Sequence, residues 1–282
     1  MLLSGTTVAA EVCDHIRSQI ASGGAKPVLA IILIGDHAPS RRYVTRKMER
    51  AAEVGIGTKL FEYPEDVMED RILSKIEAIN ADPGIHGLIV QLPLPPQIDR
   101  QKLIEAIDPS KDVDGFHPLN VGRMFVGEPS LTCATPTGVM RLLDHYGIIV
   151  EGKHAVVVGR SNIVGKPMAL MLINRGATVT SCNSKTLDLP SITRQADILI
   201  SATGRARGIT ADMVRDGAVV VDIGQSFIGD DLYGDIDFEP VSAKASAITP
   251  TPGGVGPMTI AMLLENTWKA EISMRTHEKN RT

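Results

Sequence analysis

Hydrophobic and polar positions follow one another along the chain in a repeated strand-then-helix order. Short runs of consecutive apolar residues predict strands buried on both faces, whereas an apolar residue at every third or fourth position predicts an amphipathic helix. This order is typical of α/β proteins with parallel sheets. The predicted strands are residues 28–34, 59–63, 87–92, 155–158, 177–182, 197–202 and 218–223. The predicted helices are residues 40–54, 69–80, 99–107, 168–174, 210–215 and 259–268.

Residues 152–167 form the stretch around which the back half is organised. The strand at 155–158 runs into a turn that contains Gly159, Ser161 and Gly165, and Pro167 then opens a helix. The exposed amides and positive dipole end of a helix start suit a pyrophosphate, and glycines let the backbone approach it. Because the glycines lack the GxGxxG spacing, the turn alone could equally be an ordinary glycine-rich connection. The βαβ unit that follows favours a dinucleotide site.

The end of the second strand of this βαβ unit indicates which dinucleotide fits. An NAD site would have an Asp or Glu here for the ribose 2′-hydroxyl, and residues 179–187 contain no acid. They contain Ser184 and Lys185 instead, and the glycine turn contributes Arg160. We therefore predict a pocket for an additional phosphate, which favours NADP over NAD.

The order of the elements also predicts a division into domains. The polar, proline-containing stretch 108–118 is the expected exit from the first domain. Three prolines and three glycines make 249–259 an unusual loop, and the apolar face of the helix after it is most simply buried by returning to the first domain. We predict two α/β domains with a cleft between them, the second a Rossmann-like doubly wound parallel sheet. Their residues are 1–118 plus 256–282, and 119–255; the charged tail 275–282 is expected to be frayed.

Composition and charge exclude several classes of function. The 282 residues are 43% hydrophobic, with a net charge of −4 and a pI near 6.0, so nothing indicates binding to nucleic acid. No apolar stretch approaches the roughly 20 residues of a membrane span, and the N-terminus shows no secretory signal, so we expect a soluble cytosolic protein. Three widely spaced cysteines and seven scattered histidines fit neither a disulfide framework nor a metal site.

Four polar residues in the front half are candidates for function. Tyr43 and Lys47 are four positions apart and share a helix face, although such a pair more often belongs to a solvated surface. Asp114 lies in an acidic, glycine-containing stretch of a kind that usually forms a turn. Gln91 is more informative because it interrupts an apolar strand just before a proline break, and α/β proteins bind ligands at the carboxyl ends of strands.

Several long motifs span nearly the whole chain. They are Ser40-x-x-Tyr43-Val44-x-x-Lys47, Gly87-Leu-Ile-Val-Gln-Leu-Pro-Leu-Pro95, Lys111-Asp-Val-Asp-Gly-Phe-His-Pro118, Gly159-Arg-Ser-x-Ile-Val-Gly-Lys-Pro167 and Pro252-Gly-Gly-Val-Gly-Pro-Met-Thr259. In sequence, order and spacing the chain resembles the bifunctional methylenetetrahydrofolate dehydrogenase/methenyltetrahydrofolate cyclohydrolases. The resemblance implies NADP-dependent oxidation of 5,10-methylenetetrahydrofolate and hydrolysis of the product to 10-formyltetrahydrofolate, as part of one-carbon metabolism and purine biosynthesis.

The resemblance also implies roles for individual residues. Tyr43 is expected to stack on the folate, Lys47 and Gln91 to serve hydrolysis, and Asp114 to bind the pterin. Further residues implied to bind the substrate are Pro252, Gly253 and Gly254, and those implied to bind the cofactor are Gly159, Arg160, Ser161, Ser184, Gln225 and Thr135. A homodimer joined through the nucleotide-binding domains is implied as well.

The chain departs from the usual sequence of the family at several positions. It has Cys133-Ala134-Thr135-Pro136 for Pro-Cys-Thr-Pro, Asn183 for His, Ala206 for Pro, Gln225 for Ile and Thr6 for Lys. These changes affect the expected shape of the nicotinamide pocket.

The alternative function is a non-catalytic regulator that binds nucleotide and folate on the same fold, because fold does not fix function. The retained Lys47 and Asp114 favour the enzyme.

Overall fold

A computed structural model describes residues 1–229 and 231–279 of the chain, the last three of these by their backbone alone. The chain divides into two compact units, which are Met1–Ala10 with Thr135–Thr259, and Glu11–Ala134 with Ile260–Thr282. The domain boundaries predicted from the sequence stay a prediction. Within the described residues no helix is long and apolar enough to cross a membrane.

The unit that contains Glu11–Ala134 is built on a three-stranded parallel sheet in the order β2-β1-β3. Its strands are β1 (Val28–Ile34), β2 (Gly57–Tyr63) and β3 (Gly87–Val90). The central strand β1 carries only apolar side chains, and β3 is buried along its whole length, whereas β2 is a partly exposed edge. The first five helices are α1 (Gly5–Gly23), α2 (Ala38–Val54), α3 (Glu69–Ala81), α4 (Arg100–Ala106) and α5 (Pro118–Val126).

The core of this unit follows from the periodicity of the sequence. On α3, Ile72, Ile76 and Ile79 recur at helical spacing and pack with Leu88 of β3 and Ile32 of β1. All five side chains are at most 2% exposed. The buried strands have defined ends, and the positions of the polar residues that directly follow the strands are therefore defined as well.

The second unit contains a five-stranded parallel sheet in the order β10-β7-β6-β4-β5 and a separate antiparallel pair, β8 with β9. Its strands are β4 (His154–Val158), β5 (Thr178–Cys182), β6 (Ile198–Ser201), β7 (Val219–Asp222), β8 (Ser226–Ile228), β9 (Asp231–Tyr233) and β10 (Ala247–Ile248). The remaining helices are α6 (Ala134–His145), α7 (Gly165–Asn174), α8 (Leu189–Thr193), α9 (Phe238–Ser242) and α10 (Val255–Lys279). Residues of α10 from Ile260 onward belong to the unit that contains Glu11–Ala134.

The strand order of the larger sheet determines where a ligand can bind. Counted along the chain, its five strands lie in the order 2-1-3-4-5, so the chain reverses direction across the sheet between β4 and β6. In doubly wound sheets the ligand crevice opens at this point, outside the carboxyl ends of the strands. The α/β class and the doubly wound parallel sheet predicted from the sequence are confirmed.

Several predicted elements differ in the structure. The helix expected at 210–215 is a single 3₁₀ turn, Ala211–Met213, because so short a segment cannot repay helix nucleation. Helix α10 begins at Val255, so residues 255–259 of the predicted loop are helical. Pro257 is tolerated in the first turn because the amides there have no partner within the helix. The same helix continues to Lys279, past the start of the tail expected to be frayed. Residues 280–282 of that tail lie outside the described residues.

Candidate active site

A buried lysine and a glutamine meet in the unit with the three-stranded sheet. Lys47 is on α2 and only 8% exposed, and Gln91 directly follows β3. The Lys47 Nζ donates a hydrogen bond of 3.0 Å to Oε1 of Gln91. The Gln91 amide nitrogen donates to the carbonyl of Leu92 at 2.7 Å, which turns the amide oxygen toward the lysine. The side chains of the pair are therefore oriented by hydrogen bonds at the end of β3.

Asp114 completes this cluster through its charge. Burial raises the pKa of the Asp114 carboxyl to about 6, while the Lys47 charge opposes the rise and the Asp112 charge adds to it. Burial lowers the pKa of the Lys47 ammonium, and the Asp114 carboxylate opposes that change. Both pKa values therefore move toward neutrality, which suits groups that bind or transfer a proton.

The backbone around Asp114 is fixed by its neighbours. The Asn266 amide of α10 donates to the carbonyls of Val113 and Thr132, both at 2.9 Å. Gly115 has a φ of +73°, and a β-carbon there would clash with the Thr132 carbonyl group, so only glycine fits. The position of the carboxylate is thus set by residues from three separate segments of this unit.

Tyr43 lies one helical turn before Lys47 on α2 and is half-buried. Burial raises the pKa of its phenol, and the Arg46 charge opposes the rise. Among the described residues none accepts a hydrogen bond from its hydroxyl. The structure therefore brings Lys47, Gln91 and Asp114 together. Tyr43 is near them because it lies one turn from Lys47 on the same helix.

A second candidate site is a cavity of about 370 Å³ at the carboxyl ends of β4, β5 and β6. Gly159 follows β4 with a φ of +133°, and a β-carbon on it would clash with the carbonyl oxygen of Ala202, which follows β6. A β-carbon on Gly165 would clash in turn with the carbonyl of Gly159. The two glycines therefore allow the turn after β4 to pack against α7 and the end of β6 at the point where the strand order reverses.

The lining of this cavity fits a polyanion. Four residues predicted to bind the cofactor, Gly159, Arg160, Ser161 and Ser184, line it. Arg205 adds a second guanidinium, and the described lining residues include no carboxylate. Guanidinium groups suit phosphate oxygens, and the absence of an acid leaves room for a phosphate on the ribose. The residues present therefore fit NADP.

Two other residues predicted to bind the cofactor do not line this cavity. Thr135 Oγ1 lies 2.9 Å from Thr259 Oγ1 of α10. The Gln225 side chain approaches the same helix, because a β-carbon on Gly256 would lie only 2.8 Å from its Nε2. Both residues thus contact the start of α10.

The predicted substrate residues Pro252, Gly253 and Gly254 lie directly before α10 and are clamped by the N-terminal segment. The backbone amide of Thr6 donates to the Gly253 carbonyl at 3.1 Å, and its hydroxyl donates to the same oxygen at 3.3 Å. A β-carbon on Gly5 would clash with the carbonyl of Gly254. Tertiary contacts therefore set the shape of this loop.

A further group of polar residues near the cavity was not predicted from the sequence. Thr203 and Arg205 line it, and the buried carboxylates of Asp222 and Asp235 lie behind it. The available signal was an acid at the end of an apolar strand, two residues before a glycine, as in Asp222-Ile223-Gly224. The predicted strand 218–223 includes Asp222, but strand periodicity assigns it no role, and nothing in the sequence links it to Asp235.

The doubly wound sheet, its glycine turn and its cationic cavity define a dinucleotide-binding α/β protein, and the other unit adds a lysine, amide and carboxylate cluster. Family models agree: residues 3–114 match the tetrahydrofolate dehydrogenase/cyclohydrolase catalytic domain, and residues 133–275 match the NAD(P)-binding domain of the same family. The chain belongs to the tetrahydrofolate dehydrogenase/cyclohydrolase family, as the resemblance in its motifs predicted.

Individual relatives cover almost the whole chain. The bifunctional protein FolD of Geobacillus thermodenitrificans is 50% identical over 274 residues, which are 95% of this chain and 96% of the relative. The crystal structure of the bifunctional methylenetetrahydrofolate dehydrogenase/cyclohydrolase FolD from Campylobacter jejuni is 46% identical, with a TM-score of 0.94 over 97% of this chain and 99% of that one. The Trypanosoma brucei enzyme, solved with NADP and an inhibitor, is 34% identical with a TM-score of 0.93 over 97% of each chain.

The opposing charges in the lysine cluster predict how Asp114 titrates in a variant. Replacing Lys47→Met removes the charge that lowers the pKa of Asp114, so that pKa should rise further above about 6. Carbon NMR of labelled aspartate carboxyls, with Asp114→Asn to assign the signal, measures it. Lys59→Met, which removes an exposed lysine paired with Asp82, is the control. An unchanged Asp114 pKa in Lys47→Met would contradict the coupling.

Proposed function

We propose that the chain is a bifunctional enzyme that oxidises 5,10-methylenetetrahydrofolate with NADP⁺ and hydrolyses the resulting 5,10-methenyltetrahydrofolate to 10-formyltetrahydrofolate. The observation that carries this proposal is the buried Lys47, held 3.0 Å from Gln91 and beside Asp114. Burying an ammonium group is costly. A protein that only binds its ligands has no use for such a lysine, whereas a hydrolytic step that transfers protons does.

The oxidation places modest demands on the protein. NADP⁺, when bound, accepts the hydride that leaves the methylene carbon of the folate. The lone pair of the adjacent nitrogen drives this loss and leaves a conjugated cation, so no strong base is needed. The task of the protein is orientation. The two oxygens of the Asp114 carboxylate accept hydrogen bonds from two neighbouring N–H groups of the pterin. The half-buried Tyr43 ring stacks on the folate.

The hydrolysis needs proton transfers that the lysine can supply. Water adds to the methenyl carbon, the bond from that carbon to N5 breaks, and one proton is released to solvent overall. The neutral Lys47 amine accepts a proton from the attacking water and returns it to the departing N5 nitrogen. Burial lowers the pKa of the Lys47 ammonium, which increases the share of the neutral amine at any given pH. Gln91 orients Nζ through its amide oxygen.

The cofactor and substrate residues keep the roles that the family resemblance implies. Arg160 and Ser184 hold the ribose 2′-phosphate, and Gly159 and Ser161 present the turn to the pyrophosphate. Thr135 and Gln225 contact the cofactor, while Pro252, Gly253 and Gly254 contact the folate. The Ser161 hydroxyl accepts hydrogen bonds from the amides of residues 164 and 165 at 3.2 and 3.3 Å, which supports an ordered turn at the start of α7.

The alternative is a non-catalytic regulator that binds nucleotide and folate. The absorbance of methenyltetrahydrofolate separates the two functions. An enzyme produces the methenyl compound from methylenetetrahydrofolate only when NADP⁺ is present, and it consumes added methenyltetrahydrofolate without cofactor. A regulator would bind both ligands without changing the methenyltetrahydrofolate absorbance in either assay.

We expect Lys47→Met to abolish cyclohydrolase activity more completely than dehydrogenase activity, because the substrate's own nitrogen drives hydride loss whereas hydrolysis needs the proton shuttle. Asp114→Ala should reduce both activities, since a folate without its anchor is presented to neither reaction. Steady-state rates of both reactions on both variants measure this. Lys59→Met serves as the matched lysine control. Wild-type cyclohydrolase turnover in Lys47→Met would assign the lysine to a structural role.

We expect Arg160→Ala to weaken binding of NADP more than that of NAD. The loss for NADP should be one to two powers of ten, because a charge-assisted contact is worth about 1.5–3 kcal/mol. KM values for the two cofactors measure the difference. Arg194→Ala, which removes an arginine bonded to the Asp212 carbonyl, is the control. Equal losses for NADP and NAD would remove the assignment of Arg160 to the 2′-phosphate.

We further propose a cytoplasmic homodimer joined through the nucleotide-binding domains, as the family resemblance implies. The domains are proposed to be residues 1–118 plus 256–282 for the folate and 119–255 for NADP. Light scattering at micromolar concentration should give twice the 30.2 kDa of one chain. A monomer mass at that concentration would contradict the dimer.

A further inference from the structure

We propose that Asp235 is a positioning residue of the cofactor site, held in place by Asp222. It fixes the backbone of residues 203–205, which forms one wall of the 370 Å³ cavity. The inference rests on the proposed function in one respect only, which is that this cavity binds NADP.

The Asp235 carboxylate gathers three donors from the end of β6 and the loop after it. Its Oδ2 accepts from the Ser201 hydroxyl at 2.8 Å and from the Thr203 amide at 2.6 Å. Its Oδ1 accepts from the Arg205 amide at 2.9 Å. The side chain is fully buried. Two of the three donors are therefore backbone groups of residues that line the cavity.

Asp222, at the end of β7, holds the segment that carries Asp235. Its Oδ1 accepts from the amides of Gly224 at 3.0 Å and Asp235 at 2.9 Å, and its Oδ2 accepts from the Ile236 amide at 3.0 Å. Burial raises the pKa of Asp222 to about 6, and the backbone donors oppose the rise. A chain of hydrogen bonds thus runs from β7 through Asp235 to the cavity wall.

Two glycines show that the close approach of these carboxylates is built into the fold. A β-carbon on Gly224 would clash with the Asp235 carboxylate, and one on Gly234 would clash with the Asp222 carboxylate. Neither position has a positive φ among the described glycines, so close packing and not backbone conformation requires glycine there. The Asp235 carboxylate lies where a side chain on residue 224 would be, and the Asp222 carboxylate lies where a side chain on residue 234 would be.

Burying two carboxylates needs a compensating reason. Within the described residues neither Asp222 nor Asp235 forms an ion pair, and buried charge is costly without a partner. What these carboxylates secure is the backbone on either side of Gly204, in a segment otherwise exposed to solvent. A wall that is already ordered lowers the entropic cost of binding a ligand against it. Loss of this order should therefore weaken NADP binding and spare the hydrolytic step, which uses no cofactor.

The decisive variant is Asp235→Asn, which keeps the size of the side chain but places an N–H donor against one of the amides that it now accepts from. The dissociation constant for NADP, measured by calorimetry, should rise about tenfold. Hydrogen exchange at the amides of Thr203 and Arg205 should become faster. Cyclohydrolase turnover, which needs Lys47 and not this cavity, should stay at the wild-type rate. Asp237→Asn, two residues away at the start of α9 and without a capping hydrogen bond, is the matched control and should change none of these.

Ser201→Ala provides a milder test if Asp235→Asn does not fold, because it removes only the hydroxyl donor to the carboxylate. It should raise the dissociation constant for NADP several-fold and leave cyclohydrolase turnover unchanged. Faster exchange at residues 203 and 205 with unchanged NADP affinity would overturn the inference, as would equal loss of NADP binding and cyclohydrolase turnover. If the wild-type protein binds NADP but catalyses neither reaction, the proposed function fails, and the same comparison of dissociation constants still decides the role of Asp235.

Discussion

All strands of the three-stranded sheet run in one direction, as do all strands of the five-stranded sheet, and this constraint determines where polar chemistry can occur. Strands covered on both faces must be apolar along their length, as in β1, so functional side chains can only follow the strands. The carboxyl ends of parallel strands meet at one edge. Gln91 follows β3, and Gly159, Asn183 and Ala202 follow the three strands around the 370 Å³ cavity. Segments far apart in the sequence thereby converge on a candidate site in each unit.

The two units solve the problem of buried charge in opposite ways. The Asp114 carboxylate accepts no hydrogen bond from the described residues. Burial raises its pKa and lowers that of Lys47, so both groups remain able to bind substrate or move a proton. Asp235 is instead saturated by one hydroxyl and two backbone donors, and Asp222 by three backbone donors. An unsaturated carboxylate suits chemistry, whereas a saturated one fixes the backbone that chemistry or binding requires.

Departures from the usual family sequence acquire local roles in the folded chain. Asn183 accepts a hydrogen bond from the Lys185 amide at 3.0 Å, which closes a turn around Ser184 at the cavity edge. Thr6 donates twice to the Gly253 carbonyl and so clamps the loop before α10. Neither change replaces Lys47, Gln91 or Asp114. Asn183 and Thr6 therefore both act by hydrogen bonding to the backbone, and the residues assigned to proton transfer are retained.

The sequence by itself determined the α/β class, most strands, the glycine turn at Gly159 and, through long motifs, the family. These features are local, because apolar runs and turn residues act on their immediate neighbours. Periodicity alone favoured an exposed face for Lys47, and only packing against the end of β3 made it a buried partner of Gln91. Asp222 and Asp235, 13 residues apart, gave no pattern that linked them. Their pairing depends on which strands lie side by side, and that order is set by burial of whole elements, a property that no single segment encodes.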